Sequence, residues 1–417
     1  MTGQGGVGEA GRRGADVRSD CWVAVEIQET GGVSLSATSK VDALFGASIR
    51  ESVLGTVAAF GPENVRIKVE DQGALPWVIQ ARVEAALRRA GVEGAGDARP
   101  PARIEGRPEG TPRDRLRRSR LYLPGNEPKF AINAGLHAPD GVILDLEDSV
   151  HPEEKDAARL MVRNALRCVD FGDAERMVRI NQGDLGLEDL DAVVPESPDL
   201  VLIPKVETSG QVKAVQARID SIQKELGQTR PLWIMPILES AQGVENAVHI
   251  ALASPFVSAL TIGLEDYTAD LGVVKTPEGN ESLWARSRLV NAARAAGVQA
   301  IDSVYGDVAD EEGLLAWGRR SRAMGFQGMG CIHPRQIRII HDAFAPSHQE
   351  LEKAQRIVAA FEEAEEKGLG VVSLGTKMID RPVVLRARKL VQQAKEAGLV
   401  PNEDGRTADS DVGEVTP

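Results

Sequence analysis

The sequence predicts a (β/α)8 TIM barrel with a C-terminal helical extension, preceded by a small α+β domain. Short β-rich runs alternate with amphipathic helical stretches through the second part of the chain, which is typical of this barrel. A segment rich in Gly, Pro, Arg and Glu separates that part from the first, and the end of the chain favours long charged helices. A doubly wound open sheet is the alternative, but it needs a Gly-rich phosphate-binding turn, which LYLPGNEPKF matches poorly.

Composition excludes several classes of protein. The chain has 417 residues, with 49 Lys and Arg against 62 Asp and Glu, and aromatic side chains are only 4%. This balance argues against nucleic-acid binding through phosphate contacts or base stacking. There is no uninterrupted apolar run of the ~18–20 residues that a membrane span needs. Three distant cysteines, Cys21, Cys168 and Cys331, suit a reducing compartment. We therefore expect a cytoplasmic protein that binds neither nucleic acid nor a membrane.

The first part of the chain divides into three segments. Residues 1–19 are Gly-rich and predict a flexible leader. Within residues 20–91, the strand CWVAVEI, a turn at 31–32 and the strand VSLSAT predict a hairpin, and two helices and one more strand complete the small domain. Residues 92–115 predict a flexible linker, which is either a swinging arm between two domains or a passive spacer.

The second part also divides into three segments. The barrel is expected over residues 116–345, whose strand runs include GVILDL, RMVRI, LVLIPK, LWIMPILES and ALTIGLED. Residues 346–400 predict a helical extension of the kind that packs on a neighbouring subunit, and residues 401–417 predict a disordered tail. Barrel active sites lie at the C-terminal ends of the strands, so the polar residues that end these runs are the candidates for chemistry.

Acidic side chains at two of these strand ends suggest a divalent cation. Glu239 in PILESAQG and Asp266 in GLEDYTADLG lie one strand–helix unit apart, which places them at adjacent strand tips of a barrel. Two carboxylates with several open positions suit Mg²⁺, which keeps waters and shares its coordination shell with substrate oxygens. The alternative is that both acids pair with Arg or Lys, or cap helices.

Basic side chains and one more acid complete the candidate set. Arg179 ends a strand in MVRINQ, where its fork of donors suits a carboxylate or a developing enolate oxygen; a structural ion pair is the alternative. Glu147 in DLEDSV could orient that arginine or bind the metal through water. Lys205 in IPKVE is expected to act electrostatically and not as a Schiff-base amine. Arg118 and Lys129 flank LYLPGN, where basic groups suit a phosphate or phosphopantetheine.

A series of motifs gives the chain a specific resemblance. In order, they are RRSRLYLPGNEPKF, GVILDLEDSV, VRINQGD, LIPKVE, ILESAQGVENA, GLEDYTADLG, GFQGMGCIHPRQI and GLGVVSLGTKMID. Over residues 115–397 the chain resembles the citrate lyase β-subunit family, whose wider relatives are malyl-CoA and citramalyl-CoA lyases, Mg²⁺ enzymes on a (β/α)8 barrel. Residues 20–90 resemble the citrate lyase γ subunit, an acyl carrier protein, in FGASIRESVLGTV and VRIKVEDQGALPWVIQARVEAAL. The chain is therefore similar to a carrier fused to its lyase.

The resemblance implies roles for single residues of the barrel. Glu239 and Asp266 match the Mg²⁺ ligands, and Glu147 matches an acidic residue near the metal. Arg179 matches the arginine that stabilises the enolate and the keto-acid oxygens. The implied substrate is a small-molecule acyl thioester.

Three further residues receive roles from the same resemblance. Asp380 in KMID matches an aspartate that acts at the acetyl carbon and that, in relatives, reaches the active site of an adjacent subunit. Arg118 and Lys129 lie where the family contacts the pantetheine or nucleotide end of its thioester. The family also implies a homo-oligomer, a trimer or hexamer, and a citrate lyase α subunit as a partner.

One position departs from the carrier family's pattern. There the modified serine lies two residues before an Asp, but here the run is VRSD and Arg18 occupies the matching position. An arginine cannot carry a phosphodiester-linked arm of the phosphoribosyl-dephospho-CoA type. Either Ser19 carries the arm, or the domain is unmodified.

The expected function is Mg²⁺-dependent cleavage of citryl-carrier to oxaloacetate and an acetyl thioester. Two alternatives stay open. One is a lyase for free CoA thioesters, citramalyl-CoA or malyl-CoA, with a vestigial carrier domain. The other is a non-catalytic subunit of a lyase complex that retains the barrel.

Overall fold

The structure is a computed structural model, and its description covers residues 6–94, 97–102, 109–366, 372–374, 377–396, 398 and 400. The chain forms two compact units, Met1–Arg338 and Ile339–Pro417. The first unit contains the small domain and the barrel strands, and the second contains the C-terminal extension. The predicted tail, 401–417, lies outside the described residues.

The small domain is built on a four-stranded sheet in the order β1–β2–β4–β3. Its strands are β1 (Val7–Gly11), β2 (Cys21–Ile27), β3 (Val33–Ser39) and β4 (Val65–Asp71). β2 and β3 do not form the predicted hairpin, because β4 lies between them, antiparallel to β2 and parallel to β3. β4 buries alternate apolar side chains, which suits a central strand, whereas β3 is mostly exposed and suits an edge.

The structure differs from the predicted leader of residues 1–19. Residues 7–11 form β1, which pairs antiparallel with β2 along its whole length, and residues 1–5 lie outside the described residues. A Cβ atom on Gly8 would lie only 2.1 Å from the carbonyl oxygen of Ala86. The missing side chain therefore lets this strand pack closely beside a helix, which composition alone does not reveal.

Two helices complete the small domain, α1 (Asp42–Phe60) and α2 (Pro76–Arg89). By length and composition, α1 alone among the described helices could cross a membrane. Its buried residues include Ile49, Val53 and Val57, which belong to the domain's core. α2 begins with a proline, which suits the first turn of a helix because no N–H is needed there.

The barrel prediction is confirmed by eight parallel strands in the order β11–β10–β9–β8–β7–β6–β5–β12. A parallel bridge between Asp302 and Met329 joins the two ends of this sheet, which excludes the doubly wound alternative. The strands are β5 (Ser119–Pro124), β6 (Gly141–Asp145), β7 (Glu175–Arg179), β8 (Leu200–Ile203), β9 (Trp233–Leu238), β10 (Ala259–Ile262), β11 (Gln299–Ile301) and β12 (Met329–Cys331).

Helices follow the strands around the barrel. They are α3 (Pro128–Ala131), α4 (Lys155–Cys168), α5 (Gly183–Val193), α6 (Ser209–Leu226), α7 (Ala241–Glu245), α8 (Ala247–Ala251), α9 (Leu264–Leu271), α10 (Leu283–Ala296), α11 (Glu311–Met324) and α12 (Arg335–Phe344). Within the strands, side chains such as Ile143, Met177, Met235 and Ile301 form one buried core cluster.

The small domain packs on the barrel, with α2 against α4. Glu84 of α2 accepts hydrogen bonds from both terminal nitrogens of Arg163, at 2.7 and 3.1 Å. Asn164 donates to the backbone carbonyl of Trp77 at 2.9 Å. All four of these residues are buried. The two domains therefore share a specific polar interface, and the small domain is docked on the barrel.

The described parts of the predicted linker also contact the barrel. Arg99 pairs with Glu196 at 3.2 Å, and Arg167 donates to the carbonyl of Pro100. Thr111 donates to the buried Glu175 at 2.6 Å. This differs from a flexible linker over 92–115, because single polar side chains hold its described residues along the barrel surface. Residues 95–96 and 103–108 lie outside the described residues.

The second unit is built mainly of two helices. It contains α13 (His348–Glu366), a short antiparallel pair of strands, β13 (Val372–Leu374) and β14 (Lys377–Ile379), and α14 (Arg381–Glu396). Ile357 and Phe361 of α13 and Val384 of α14 are members of its own buried cluster. The two helices therefore form an independent hydrophobic core.

Candidate active site

A cavity of about 460 Å³ opens at the carboxyl ends of the barrel strands. Its lining includes three of the residues singled out from the sequence, Arg179, Glu239 and Asp266. Each follows or ends a different strand, β7, β9 and β10, so the parallel barrel brings together residues that are distant in the chain. We call this space the barrel cavity.

Glu239 and Asp266 lie side by side, as predicted. Glu239 follows β9 and is only 5% exposed, and Asp266 lies in the first turn of α9. The backbone N–H of Lys205 donates to one Glu239 oxygen at 3.0 Å. The other oxygen faces Gly263, where a Cβ atom would lie 2.7 Å away. Glycine at 263 therefore leaves room for the carboxylate at this point.

The electrostatics of this pair favour a bound cation. Burial, together with a hydrogen bond to the neighbouring Asp266, raises the pKa of Glu239 to about 8. Two carboxyl groups this close repel each other when both are ionised, unless a positive charge lies beside them. Among the described residues no group of three or more His, Cys, Asp or Glu side chains could hold a metal ion. Two carboxylates, with waters and substrate oxygens in the other positions, are a donor set that fits Mg²⁺.

Arg179 is fixed by two acids of the β6 end. Its Nε and Nη2 atoms donate to the two oxygens of Asp145 at 2.6 and 2.7 Å, and its Nη1 contacts Glu147 at 3.0 Å. Burial opposes ionisation of Asp145, but the fork of Arg179 holds the pKa of that carboxyl below its usual range. The guanidinium is therefore held rigidly in one orientation while it lines the barrel cavity.

Glu147 connects the arginine to a lysine. Gln182 donates to one Glu147 oxygen at 2.9 Å, and Lys205 Nζ lies 3.4 Å from the same oxygen. Burial and the neighbouring Asp148 raise the pKa of Glu147, although Arg179 opposes this shift. The predicted role of Glu147 in orienting the arginine is therefore shared with Asp145, which has the closer, two-pronged contact.

Lys205 is an electrostatic partner of the acids. Its Nζ lies 3.4 Å from Asp266 and 3.5 Å from Asp148. Burial alone lowers the pKa of Lys205, but the surrounding carboxylates raise it well above its usual range. The amine therefore stays protonated at neutral pH, which suits the electrostatic role predicted for it and not a nucleophilic one.

Arg118 and Lys129 lie at different ends of the barrel. Arg118 immediately precedes β5, at the amino end of the strands, and both prongs of its side chain bind Asp140 at 2.8 Å. This position contradicts the predicted contact with a thioester, because the barrel cavity opens at the other end. Lys129 lies in α3, after the carboxyl end of β5, and contacts Glu127 at 3.2 Å. Its position is compatible with the prediction.

Ser19 belongs to the small domain and Asp380 to the second unit. Ser19 is half-buried in the small domain, with a φ of 55°, and its backbone N–H donates to the carbonyl of Gln72 at 3.2 Å. Asp380 belongs to the second unit, where its side chain accepts from the backbone N–H of Val383 at 3.2 Å, at the start of α14. The first unit therefore brings together Glu147, Arg179, Glu239 and Asp266, and does not contain Asp380.

Three side chains at the cavity are not among the residues predicted from the sequence. Asp145 is the acidic end of a buried strand, VILD, and this position is the signal that could have identified it. Tyr122 and Arg120 alternate with apolar residues on β5 and both line the cavity. The alternation shows that they share one face of the strand, but only the closed barrel shows that this face points inward.

Comparison with known proteins agrees with this geometry. Residues 118–334 match the family described as HpcH/HpaI aldolase/citrate lyase. Residues 12–90 match the acyl carrier family described as malonate decarboxylase delta subunit (MdcD).

Individual relatives extend the match over the barrel and beyond. The citrate lyase subunit beta of Leuconostoc mesenteroides subsp. cremoris is 41% identical over 295 residues, 70% of this chain and 97% of that protein. The L-malyl-CoA/beta-methylmalyl-CoA lyase of Cereibacter sphaeroides is 33% identical over 306 residues, 68% of this chain and 96% of that protein. The structure of CitE from Mycobacterium tuberculosis, in complex with magnesium, acetoacetate and coenzyme A, superposes with a TM-score of 0.56 at 30% identity, over 68% of this chain and 100% of that one. The chain belongs to the HpcH/HpaI aldolase/citrate lyase family and is a carbon–carbon lyase.

Proposed function

We propose that this protein is a Mg²⁺-dependent lyase that cleaves a 3-hydroxy-acyl thioester, with citryl-carrier as its substrate and oxaloacetate and an acetyl thioester as products. The observation that carries the proposal is the meeting of Glu239, Asp266 and Arg179 in one cavity. It combines a pair of acids suited to a divalent ion with a rigid donor suited to an enolate oxygen.

Glu239 and Asp266 would hold the ion. Magnesium bound to these two carboxylates would lower the pKa of the substrate's 3-hydroxyl group, so that it ionises near neutral pH. The fit rests on the closeness of the two carboxyl groups and on the burial of Glu239. The structure of M. tuberculosis CitE with magnesium supports the choice of ion.

Arg179 would stabilise the charge that the reaction creates. The bond between C2 and C3 breaks, its electron pair passes to the thioester enolate, and C3 becomes a ketone. A guanidinium whose Nε and Nη2 are already bound to Asp145 keeps other N–H groups for this enolate oxygen. Since Asp145 and Glu147 fix its orientation before substrate arrives, little reorganisation is needed in the transition state.

Asp380 would complete the reaction by adding a proton to the enolate carbon. Its carboxyl group lies in the second unit, at the start of α14. We propose that it acts in an oligomer, where it reaches the barrel cavity of an adjacent subunit. A mixing experiment tests this: Glu239→Gln and Asp380→Asn proteins, each inactive alone, regain activity when co-refolded if the residues act across subunits. No recovery in mixed oligomers, verified by mass, would contradict it.

The docked small domain supports a carrier-bound substrate. Asp20, next to Ser19, binds the buried Arg82 through both oxygens, and Arg82 also donates to the carbonyl of Asn126 at 2.9 Å. Asn126 follows the carboxyl end of β5, on the side of the barrel where the cavity opens. A prosthetic arm on Ser19 would therefore start from this side, at an effective concentration set by the arm's own length.

A lyase for free CoA thioesters is the second candidate, and Arg18 favours it. Arginine occupies the position of the carrier family's modified serine. Ser19 itself is half-buried, and its backbone N–H is engaged in a hydrogen bond. In that case citramalyl-CoA or malyl-CoA would be the substrate and the small domain would have only a structural role.

An assay panel tests the proposal and separates the candidates. Citryl-, citramalyl- and malyl-CoA are each incubated with the purified protein, with and without Mg²⁺, and 2-oxo acid release is measured. We expect release that depends on Mg²⁺; no release from any thioester would contradict the lyase proposal. Intact mass after co-expression with a citrate lyase prosthetic-group transferase decides the carrier question, since an adduct that disappears in Ser19→Ala supports carrier-bound substrate.

A further inference from the structure

The barrel cavity contains a second arginine, deeper than the first. Arg120 lies near the start of β5, whereas Pro124 at the end of the same strand lines the opening. Its side chain is 1% exposed and lines the cavity together with Thr261, Asp302 and Gly330. We call this end of the cavity the floor.

Every contact of this guanidinium is with a neutral group. Nη1 donates to the sulfur of Met235 at 3.0 Å, and Nη2 donates to the hydroxyl of Thr261 at 3.1 Å and the backbone carbonyl of Asp302 at 3.5 Å. Nε is buried with no hydrogen-bond partner. Within the described part of the chain, no carboxylate lies within ion-pair distance of Arg120.

The nearest buried acids are engaged elsewhere. The carboxylate of Asp302 accepts from Arg286 at 2.5 and 3.2 Å and from Ser321 at 2.6 Å. Glu175 is bound by both prongs of Arg117, at 2.6 and 2.8 Å. Each of these two acids therefore already has an arginine partner of its own.

A buried cation without a counter-charge is strongly unfavourable, and it is tolerated where a ligand supplies the charge. The fork of an arginine matches a carboxylate with two parallel hydrogen bonds. Thr261 adds a hydroxyl beside the same guanidinium. The floor thus has the hydrogen-bond donors and the positive charge needed to bind a carboxylate. This position is separate from Glu239, Asp266 and Arg179.

We propose that Arg120 binds the second carboxylate of the oxo-acid half of the substrate, so that the enzyme selects thioesters that release a dicarboxylic 2-oxo acid. The inference rests on the proposed lyase function. The keto oxygen and first carboxylate of the product lie at the acids of the cavity opening, and a CH2–COO⁻ substituent extends to the floor. Of the three candidate substrates, citryl has this substituent, citramalyl has a methyl group in its place, and malyl has a hydrogen.

Binding of products tests the inference without turnover. Oxaloacetate and 4-methyl-2-oxopentanoate have the same shape but differ in the charge of one end. Calorimetric titration of the full chain with Mg²⁺ is expected to give roughly 100-fold tighter binding of oxaloacetate, a preference that Arg120→Met abolishes. Arg118→Met is the matched control: this neighbouring arginine is paired with Asp140 outside the cavity, so the preference stays intact. Equal affinities in the unmodified protein would overturn the inference.

Turnover gives a second, separate measurement. The ratio of kcat/KM for citryl-CoA to that for citramalyl-CoA is expected to fall roughly 100-fold in Arg120→Met. An unchanged ratio, with both rates lowered equally, would show that Arg120 is only structural. If Arg120→Met does not fold, Arg120→Lys keeps the charge without the fork, and its ratio should fall by a smaller factor. If the protein prefers oxaloacetate but cleaves no thioester, the proposed function is contradicted and the Arg120 site stands. If it cleaves a thioester but does not prefer oxaloacetate, the Arg120 site is contradicted and the proposed function stands.

Discussion

Charged side chains are arranged differently at the two ends of the barrel. At the amino end, two arginines each have their own acid: Arg117 binds Glu175, both 0% exposed, and Arg118 binds Asp140. At the carboxyl end, Arg179 and Lys205 face a larger set of carboxylates, namely Asp145, Glu147, Asp148, Glu239 and Asp266. Balanced pairs hold the fold together, whereas the excess of acid at the opening supports the cation site proposed there.

The largest expected effect is on stability, at the amino end. Arg117→Met leaves Glu175 buried without its partner, which typically costs about 3–5 kcal/mol. Urea unfolding followed by circular dichroism should show this loss, with and without Mg²⁺. If the variant is as stable as the parent, the ion pair at the amino end does not stabilise the fold, and the contrast drawn between the two ends is wrong.

Next in size is a loss of rate, at the carboxyl end. Arg179→Lys keeps a positive charge beside Asp145 but loses the fork, so kcat is expected to fall by about 10²–10³ while the protein stays folded. The lyase assay, together with the melting temperature, checks both parts. Similar kcat values for the parent and for Arg179→Lys would show that Arg179 has only a structural role, as a partner in an ion pair.

Neutralising one of the paired acids sharpens the comparison. Above about pH 8, where both acids are ionised, Asp266→Asn removes repulsion from Glu239, so the metal-free protein should there be as stable as the parent or slightly more so. Its Mg²⁺ affinity should fall by more than the roughly 10–100-fold typical of losing an outer-shell partner, because one of two carboxylate ligands is lost. Calorimetric Mg²⁺ titration and thermal unfolding measure the two effects. Loss of stability without Mg²⁺ would indicate that these acids are structural, like those at the amino end.

A pH dependence follows from the same pair. With its pKa raised to about 8, Glu239 keeps its proton in the folded, metal-free protein at pH values where the unfolded chain has lost it. The free energy of unfolding contributed by this group therefore falls as pH rises from about 5 to 8. Mg²⁺ must displace the proton, so its apparent affinity should rise up to about tenfold per pH unit below 8 and level off above. An apparent Mg²⁺ affinity that does not change from pH 6 to 8 would contradict the raised pKa of Glu239.

The smallest effect is expected at Arg118. Its pair with Asp140 is partly exposed, so Arg118→Met should cost less stability than Arg117→Met, whose pair is 0% exposed. Because it lies at the amino end, KM for the thioester should not change. An increase in KM confined to this variant would place thioester binding at the wrong end of the barrel, and it would restore the role predicted from the sequence.

The neighbouring arginines show what the sequence could and could not predict. Strand–helix repeats predicted the barrel, and the positions of Glu239 and Asp266 after consecutive strands predicted their meeting, because parallel strands end on the same side. In RRSR the same logic fails: Arg118 precedes β5 and binds an acid outside, whereas Arg120 points into the barrel. That distinction depends on where the strand begins and on its inward face, which local pattern does not fix.

Long-range pairing accounts for the other differences. The β1 strand exists because Val7–Gly11 find an edge of β2, and β4 displaces the predicted hairpin by pairing with both of its strands. Composition correctly marked 92–115 as poor in apolar side chains, but ion pairs such as Arg99 with Glu196 hold its described part on the barrel. Such contacts join residues far apart in the chain, and no window of sequence contains both partners.

The α2–α4 interface should keep the two domains together even when a peptide bond between them is cut. Glu84 with Arg163, and Asn164 with the Trp77 carbonyl, join the domains through buried contacts that do not involve the chain between them. A protease cut in that connection should leave a particle that migrates whole until a denaturant is added. The two halves, encoded as separate polypeptides, should likewise assemble into one working enzyme.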